Sequence, residues 1–182
     1  MILKISSDAA YLVQNKSRSR IAVHYNIRYI NDPERVNGPV NILCQTLKNV
    51  VESATESETG GFYTGGQNGS SIITNLKEMG HKQPPTGTPF ETDNKCAHGI
   101  LNSKMRQKLS KYVDMRYLWM KYCIKQKMFN LIWAPGKFNL ADYFKKQNPP
   151  WHHCKMSNKC VKRLNSALSA IAHNSLPKIL LL

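Results

Sequence analysis

The sequence predicts an α/β domain in which a three-stranded antiparallel meander comes first and helices then alternate with further strands. Three observations carry this. Residues 20–30 alternate, with β-branched or aromatic side chains at Ile21, Val23, Tyr25, Ile27 and Tyr29, the period of a half-buried strand. Short turns separate that run from the apolar runs on either side, which favours hairpin-linked strands over crossover units. From Ser53 onward, helix signals and short apolar runs take turns.

Taken in order, the chain opens on a strand over residues 1–7, with Asp8 at its end. Residues 11–19 are polar and basic and read as a loop before the strand at 20–30. Asn31-Asp32-Pro33-Glu34 and Asn37-Gly38-Pro39 punctuate a turn, and 40–47 supplies a third strand. Ser53-Ala54-Thr55-Glu56 has the S-x-x-E spacing of a capping box and marks a helix start. Capping accounts for Glu56 but leaves Glu58 without a local explanation. The helix then carries Gly60, Gly61, Gly65, Gly66 and Gly69, each costing about 1 kcal/mol relative to Ala in a helix interior. Propensity alone therefore predicts a helix that frays after about Gly60 and leaves Glu58 mobile. On that logic, Ala, Ala and Leu at Gly60, Gly61 and Gly65 raise stability and activity.

Helical spacing resumes at Ile72, Ile73, Leu76 and Met79, with Gly80 as C-cap. A Pro-rich connector over 82–89 leads to a short strand, Phe90-Glu91-Thr92-Asp93-Asn94, that ends in an acid, and to a small helix through Leu101. Residues 111–127 form a helix with Val113, Tyr117, Met120 and Ile124 on its apolar side. A strand over 129–134 turns at Pro135-Gly136, and Asn139 caps a final helix through Phe144. Pro149-Pro150 ends the domain, which spans residues 1–148. Residues 149–182 are a basic tail with one amphipathic stretch, Val161, Leu164, Leu168 and Ile171.

At 182 residues the chain suits one domain with a substantial core. Its net charge of +15, from 26 basic and 11 acidic residues, favours a polyanion partner, nucleic acid before membrane. The charge is concentrated: eight Lys or Arg lie between Leu101 and Asn130 beside a single acid, Asp114, and seven follow Asp142 with no acid at all. Such asymmetry points to a basic face. Five cysteines without C-x-x-C spacing argue against a disulfide framework and for a reducing compartment. No charged-then-apolar leader opens the chain, and the closing Ile179-Leu180-Leu181-Leu182 is far short of the roughly 20 apolar residues that span a bilayer. An intracellular setting, cytoplasmic or nuclear, is expected.

Several pieces occur together, in order: Ser7-Asp8-Ala9-Ala10-Tyr11-Leu12, Lys16-Ser17-Arg18-Ser19-Arg20, Asn37-Gly38-Pro39, Ser53-Ala54-Thr55-Glu56-Ser57-Glu58, Glu91-Thr92-Asp93-Asn94, Ser110-Lys111-Tyr112-Val113-Asp114-Met115-Arg116-Tyr117 and Asn139-Leu140-Ala141-Asp142-Tyr143-Phe144. On these the chain resembles the ribonuclease H domain of copia-type retrotransposon polyproteins, over roughly residues 1–153. The resemblance implies a mixed five-stranded sheet, three antiparallel strands then two parallel, with flanking helices. It implies an endonuclease that hydrolyses the RNA strand of RNA–DNA hybrids, and a reverse transcriptase portion in the parent polyprotein. It places the catalytic, metal-binding acids at Asp8, Glu58, Asp93 and Asp142, with two Mg²⁺ ions that Mn²⁺ can replace. Asp8 bridges the ions, Glu58 and Asp93 hold one, and Asp142 completes the other.

The chemistry agrees with the residue types. Two hard cations about 4 Å apart activate a water and stabilise a leaving oxygen, and Mg²⁺ prefers oxygen ligands. Arg18, Arg20, Lys104, Arg106, Lys108 and Lys111 are the candidates for gripping phosphates. Asp114 is explained by pairing with Arg116 or a nearby cation. His152, His153, Cys154 and Cys160 make a poor zinc site, because adjacent ligands seldom share one tetrahedral ion. Of the aromatic residues Tyr112, Tyr117, Trp119 and Tyr122, Tyr117 and Trp119 are expected in the core. Two features depart from the family: the glycine-rich stretch replaces apolar helix formers, and Lys145 stands where the family usually has Thr. They keep open a second reading, a catalytically weak or inactive nucleic-acid-binding remnant. Membrane-surface binding through the basic tail is a third, with less behind it.

Overall fold

The computed structural model describes residues 1–29, 38–102, 114–145 and 148–160. A five-stranded sheet runs in the order β3-β2-β1-β4-β5, with β1 Ile2–Gln14, β2 Arg18–Arg28, β3 Pro39–Thr46, β4 Thr88–Thr92 and β5 Phe129–Trp133. β1, β2 and β3 pair antiparallel, while β4 pairs parallel with β1 and β5 parallel with β4. The mixed sheet is thus three antiparallel strands and then two parallel ones. Helices α1 Ala54–Glu78, α2 Lys95–Leu101, α3 Asp114–Lys125, α4 Asp142–Lys145 and α5 Pro150–Cys160 flank it, with a 3-10 turn at Gly136–Phe138.

The predicted loop over 11–19 is instead most of a hairpin. β1 continues to Gln14, and the chain reverses at 15–17 with Lys16 and Ser17 at φ 61° and 51°. An irregularity between Ala10 and Gln14 puts Leu12 at φ 53°, and its N–H is satisfied by Ser19 Oγ at 3.2 Å. Polar composition hid a strand because this end of the hairpin, where Leu12 and Val13 are exposed, packs little apolar surface. Asp8 accordingly lies within the paired strand, opposite Ala22, and not at its end.

Strand alternation sorts the sheet's two faces. Leu3 and Ile5 of β1, Val23 and Tyr25 of β2, Phe90 of β4 and Phe129 and Leu131 of β5 share one buried cluster with Phe62, Ile73 and Leu76 of α1. Met120 and Cys123 of α3 close it, with Tyr117 and Trp119 packed partly buried against it. Tyr122 is exposed, and Tyr112 lies outside the described residues.

Helix α1 overturns the expectation drawn from its glycines, because it runs unbroken for 25 residues. Its start is as expected: Ser53 Oγ accepts the Glu56 N–H at 3.2 Å, and Glu56 Oε2 accepts the Glu52 N–H at 2.8 Å. Its stop is a Schellman arrangement at Gly80 (φ 84°), with Gly80 N–H on Lys77 O and His81 N–H on Leu76 O. Between them Gly61, Gly65 and Gly69 form the surface that meets the sheet, while Gly66 faces Trp119 and Met120 of α3. A Cβ built on Gly65 would lie 3.0 Å from both Phe90 and Val23, one on Gly69 2.6 Å from Ile5, and one on Gly61 2.7 Å from Ser7 Oγ. The close approach also lets Tyr25 Oη donate to the Gly65 carbonyl at 3.0 Å. Burial of the sheet's apolar face offsets the lost propensity.

Candidate metal centre

The acids converge because of strand register. β1 and β4 run parallel with Ser6 opposite Glu91. Two residues further along each chain, on the same face, come Asp8 and Asp93. Asp93 stands just past the end of β4, where Asn94 caps α2 by accepting the Ala97 N–H at 2.9 Å. Glu58 arrives from the second turn of α1, whose cap fixes its first turn. One carboxylate oxygen from each of Asp8, Glu58 and Asp93 lies within 4.8 Å of the other two.

Asp142 does not join that group. It begins α4, and the Lys145 Nζ sits between it and Asp8, 2.9 Å from Asp142 Oδ1 and 2.6 Å from Asp8 Oδ2. Asp8 and Lys145 side chains are nearly buried, whereas that of Asp142 is 44% exposed. The short helix is held from behind. Phe144 stacks on buried His24 of β2 with centroids 5.7 Å apart, and its carbonyl accepts from Cys44 Sγ at 3.0 Å. Asn139 caps the turn that leads into this helix, as expected, and its backbone carbonyl accepts the Asp142 N–H at 3.2 Å. It is buried, accepts the Ala141 N–H and donates to the Ser7 carbonyl at 2.9 Å, tying the segment to β1 beside Asp8.

Electrostatics at the centre are unfavourable as they stand. Burial pushes Asp8 up to about 6, against the opposing hydrogen bond and charge of Lys145, with Asp93 and Asp142 adding to the rise. Glu58 is raised well above the ordinary range, first by burial and then by the charges of Asp8 and Asp93. For Lys145, burial alone would lower the ammonium, but Asp8 and then Asp142 outweigh it and hold it raised. Glu58 Oε1 accepts the Ala9 N–H at 3.1 Å, while the buried Oε2 has no hydrogen-bond partner among the described residues. A carboxylate with one orphaned oxygen, grouped with two further acids, suits a hard divalent cation, which supplies the missing charge and takes oxygen ligands. The residues present fit such an ion, held by Asp8, Glu58 and Asp93.

Of the expected phosphate contacts, Arg18 is exposed on the hairpin, and Arg20 lies on the Asp8 face with Nε 3.1 Å from Cys44 Sγ. Lys104, Arg106, Lys108 and Lys111 lie outside the described residues, as does the amphipathic stretch from Val161 to Ile171. Pro150, expected with Pro149 to mark the end of the domain, is the first residue of α5, a position at which proline's missing N–H costs nothing. From α5, His153 Nδ1 meets Tyr143 Oη at 2.6 Å. Cys44, Cys96, Cys123 and Cys154 are free thiols. No helix among the described residues is long and apolar enough to cross a membrane.

Two site residues escaped sequence reasoning. Gly136 read only as a turn, yet a Cβ there would lie 2.8 Å from Asp93 Oδ2, so glycine makes room for the carboxylate. Lys145 registered as a departure from the family pattern, and its identity was the signal that this end of the site differs.

No protein-family profile and no curated protein sequence matches the chain. Solved structures do. LC11-RNase H1, isolated from compost by a metagenomic approach, aligns with a TM-score of 0.58 and 10% identity over 92% of this chain and 98% of its own. The N-terminal RNase H domain of a Mycobacterium tuberculosis protein, solved as a maltose-binding-protein fusion, aligns at 0.51 and 14% identity over 96% and 99%. LC11-RNase H1 in complex with an RNA/DNA hybrid aligns at 0.52 and 9% identity over 78% and 92%. With its strand order and mixed pairing, the chain has the ribonuclease H fold.

Proposed function

We propose that the chain is a metal-dependent endonuclease that hydrolyses the RNA strand of RNA–DNA hybrids, derived from a copia-type retrotransposon polyprotein that also carried a reverse transcriptase. The observation that carries this is the convergence of Asp8, Glu58 and Asp93, with carboxylate oxygens mutually within 4.8 Å, in a fold shared with a structure solved on a hybrid. Asp8, Glu58 and Asp93 would hold a divalent ion, Mg²⁺ or Mn²⁺, which would lower the pKa of a bound water so that hydroxide is available to attack phosphorus, and would steady the charge on the leaving oxygen. The chain's own residues set the geometry. Ala9 N–H holds one oxygen of Glu58 and leaves the other without a hydrogen-bond partner among the described residues, Gly136 admits the Asp93 carboxylate, and Asn139 anchors the segment that brings Asp142 and Lys145 to Asp8. Arg18 and Arg20, with Lys104, Arg106, Lys108 and Lys111, take the phosphates, as the net charge of +15 favours.

One observation favours a second reading, a hybrid-binding remnant with little or no activity. Lys145 occupies the space between Asp8 and Asp142 with an ion pair to each. The deciding experiment incubates a labelled RNA–DNA hybrid with the chain in Mg²⁺, in Mn²⁺ and in chelator. Cleavage of the RNA strand with either ion and none in chelator supports the enzyme. A hybrid that is retained but uncut in all three supports the remnant.

A further inference from the structure

Resting on the metal-dependent reading, we propose that the chain takes one divalent ion rather than two, with the Lys145 ammonium standing as a tethered cation in the second position. The Asp8, Glu58 and Asp93 oxygens form a group of three, and Glu58 also carries a buried oxygen without a hydrogen-bond partner among the described residues. On the other side of Asp8, the oxygens of Asp8 and Asp142 are already bridged by one nitrogen, at 2.6 and 2.9 Å. An ion drawn to that side would have to displace an ammonium that is ion-paired with both acids, or sit against its charge. Lys145 is not a surface side chain that happened to fall inward. It is one turn from Asp142 on α4, the spacing at which helix neighbours pair. Its backbone is pinned by the His24–Phe144 stack and the Cys44 thiol on the Phe144 carbonyl. The substitute is imperfect, since an ammonium carries half the charge and cannot acidify a bound water. It leaves Asp8, Glu58 and Asp93 to do that with a single ion.

The test counts ions. Mn²⁺ is titrated into the native chain, Lys145→Thr and Lys145→Met by calorimetry, with bound Mn²⁺ counted by electron paramagnetic resonance. Each titration is done alone and with a phosphorothioate hybrid that resists cleavage, and folding is checked by circular dichroism. One ion per native chain and two per Lys145→Thr chain are expected, with the count falling back to one when Asp142→Asn is added to that variant. Two ions in the native chain overturn the inference and leave the metal-dependent reading standing. An unchanged count of one in both lysine variants overturns it in the same way. A native chain that binds none, while the variants bind, makes Lys145 a plug for the whole site and also overturns it. No binding by any form overturns the metal-dependent reading and this inference with it. Should both variants fail to fold, Lys145→Gln takes their place in the same count.

Discussion

Gly65 of α1 offers a test in which helix propensity and packing predict opposite signs. Replacing it with Ala gains about 1 kcal/mol if propensity rules. Against that, the new Cβ would lie 3.0 Å from Phe90 Cζ and 3.0 and 3.2 Å from the two Val23 methyls. Neither neighbour can retreat. Phe90 is fully buried and wedged edge-on between Phe62 and Phe129, at centroid distances of 5.2 and 5.7 Å. Val23 is β-branched, fully buried and fixed in mid-strand. Overpacking of this kind costs about 1–3 kcal/mol, so Gly65→Ala is expected to lose up to about 2 kcal/mol net. At this chain length that is a fall in melting temperature of about 2–4 °C per kcal/mol. Gly60→Ala is the internal control: its Cβ meets the methyls of Leu47 at 3.1 and 3.2 Å, the far end of a flexible side chain outside the main core cluster. It is expected to be neutral or slightly stabilising. Urea titration of the three proteins gives the comparison. A Gly65→Ala midpoint at or above that of the native chain would refute the argument that these glycines are required by the sheet.

The remaining expectations concern charge. In chelator, Glu58→Gln should raise the unfolding midpoint, because it removes a buried carboxylate crowded by Asp8 and Asp93, and should abolish stabilisation by added Mn²⁺; a variant still stabilised by Mn²⁺ as the native chain is would contradict the site. Asp8 is raised from 3.8 in the unfolded chain to about 6 when folded, so its contribution falls as pH rises through that interval and is constant above it. Buried His24, lowered from 6.5 to about 4, acts in the opposite sense over much of the same range. The Asp8 term is therefore the difference between the native chain and Asp8→Asn, and a difference that grows toward acid in favour of the variant would show the sign to be wrong. Hybrid affinity should fall steeply with salt, at about 0.9 in log K per log salt for each phosphate neutralised on a B-form duplex. Arg18→Ala should lower that slope by about one contact, and filter binding over a salt series would show whether it does.

Much of the site was legible along the chain because its chemistry is carried by residue type. Asp8, Glu58, Asp93 and Asp142 fall on the short motifs that carry the family resemblance, and the capping box at Ser53 set Glu56 apart from Glu58. The antiparallel strands and the later alternation of strands and helices were legible because strand period and helix signals are local properties, the parallel pairing was implied by the family resemblance, and the stop at Gly80 follows from one residue's freedom at positive φ. Tertiary structure alone decided three matters. It turned the glycines of α1 from a weakness into a contact surface, since propensity is local while the 3.0 Å approach of Phe90 and Val23 is not. It extended β1 through a hairpin of polar residues, held by pairing between β1 and β2 rather than by a buried face. It also put the Lys145 ammonium between Asp8 and Asp142, a placement that depends on α4 being fastened to β2 through His24 and to β3 through Cys44, a hundred residues and more away in sequence. Long-range packing fixed that distance, and no pattern along the chain encodes it.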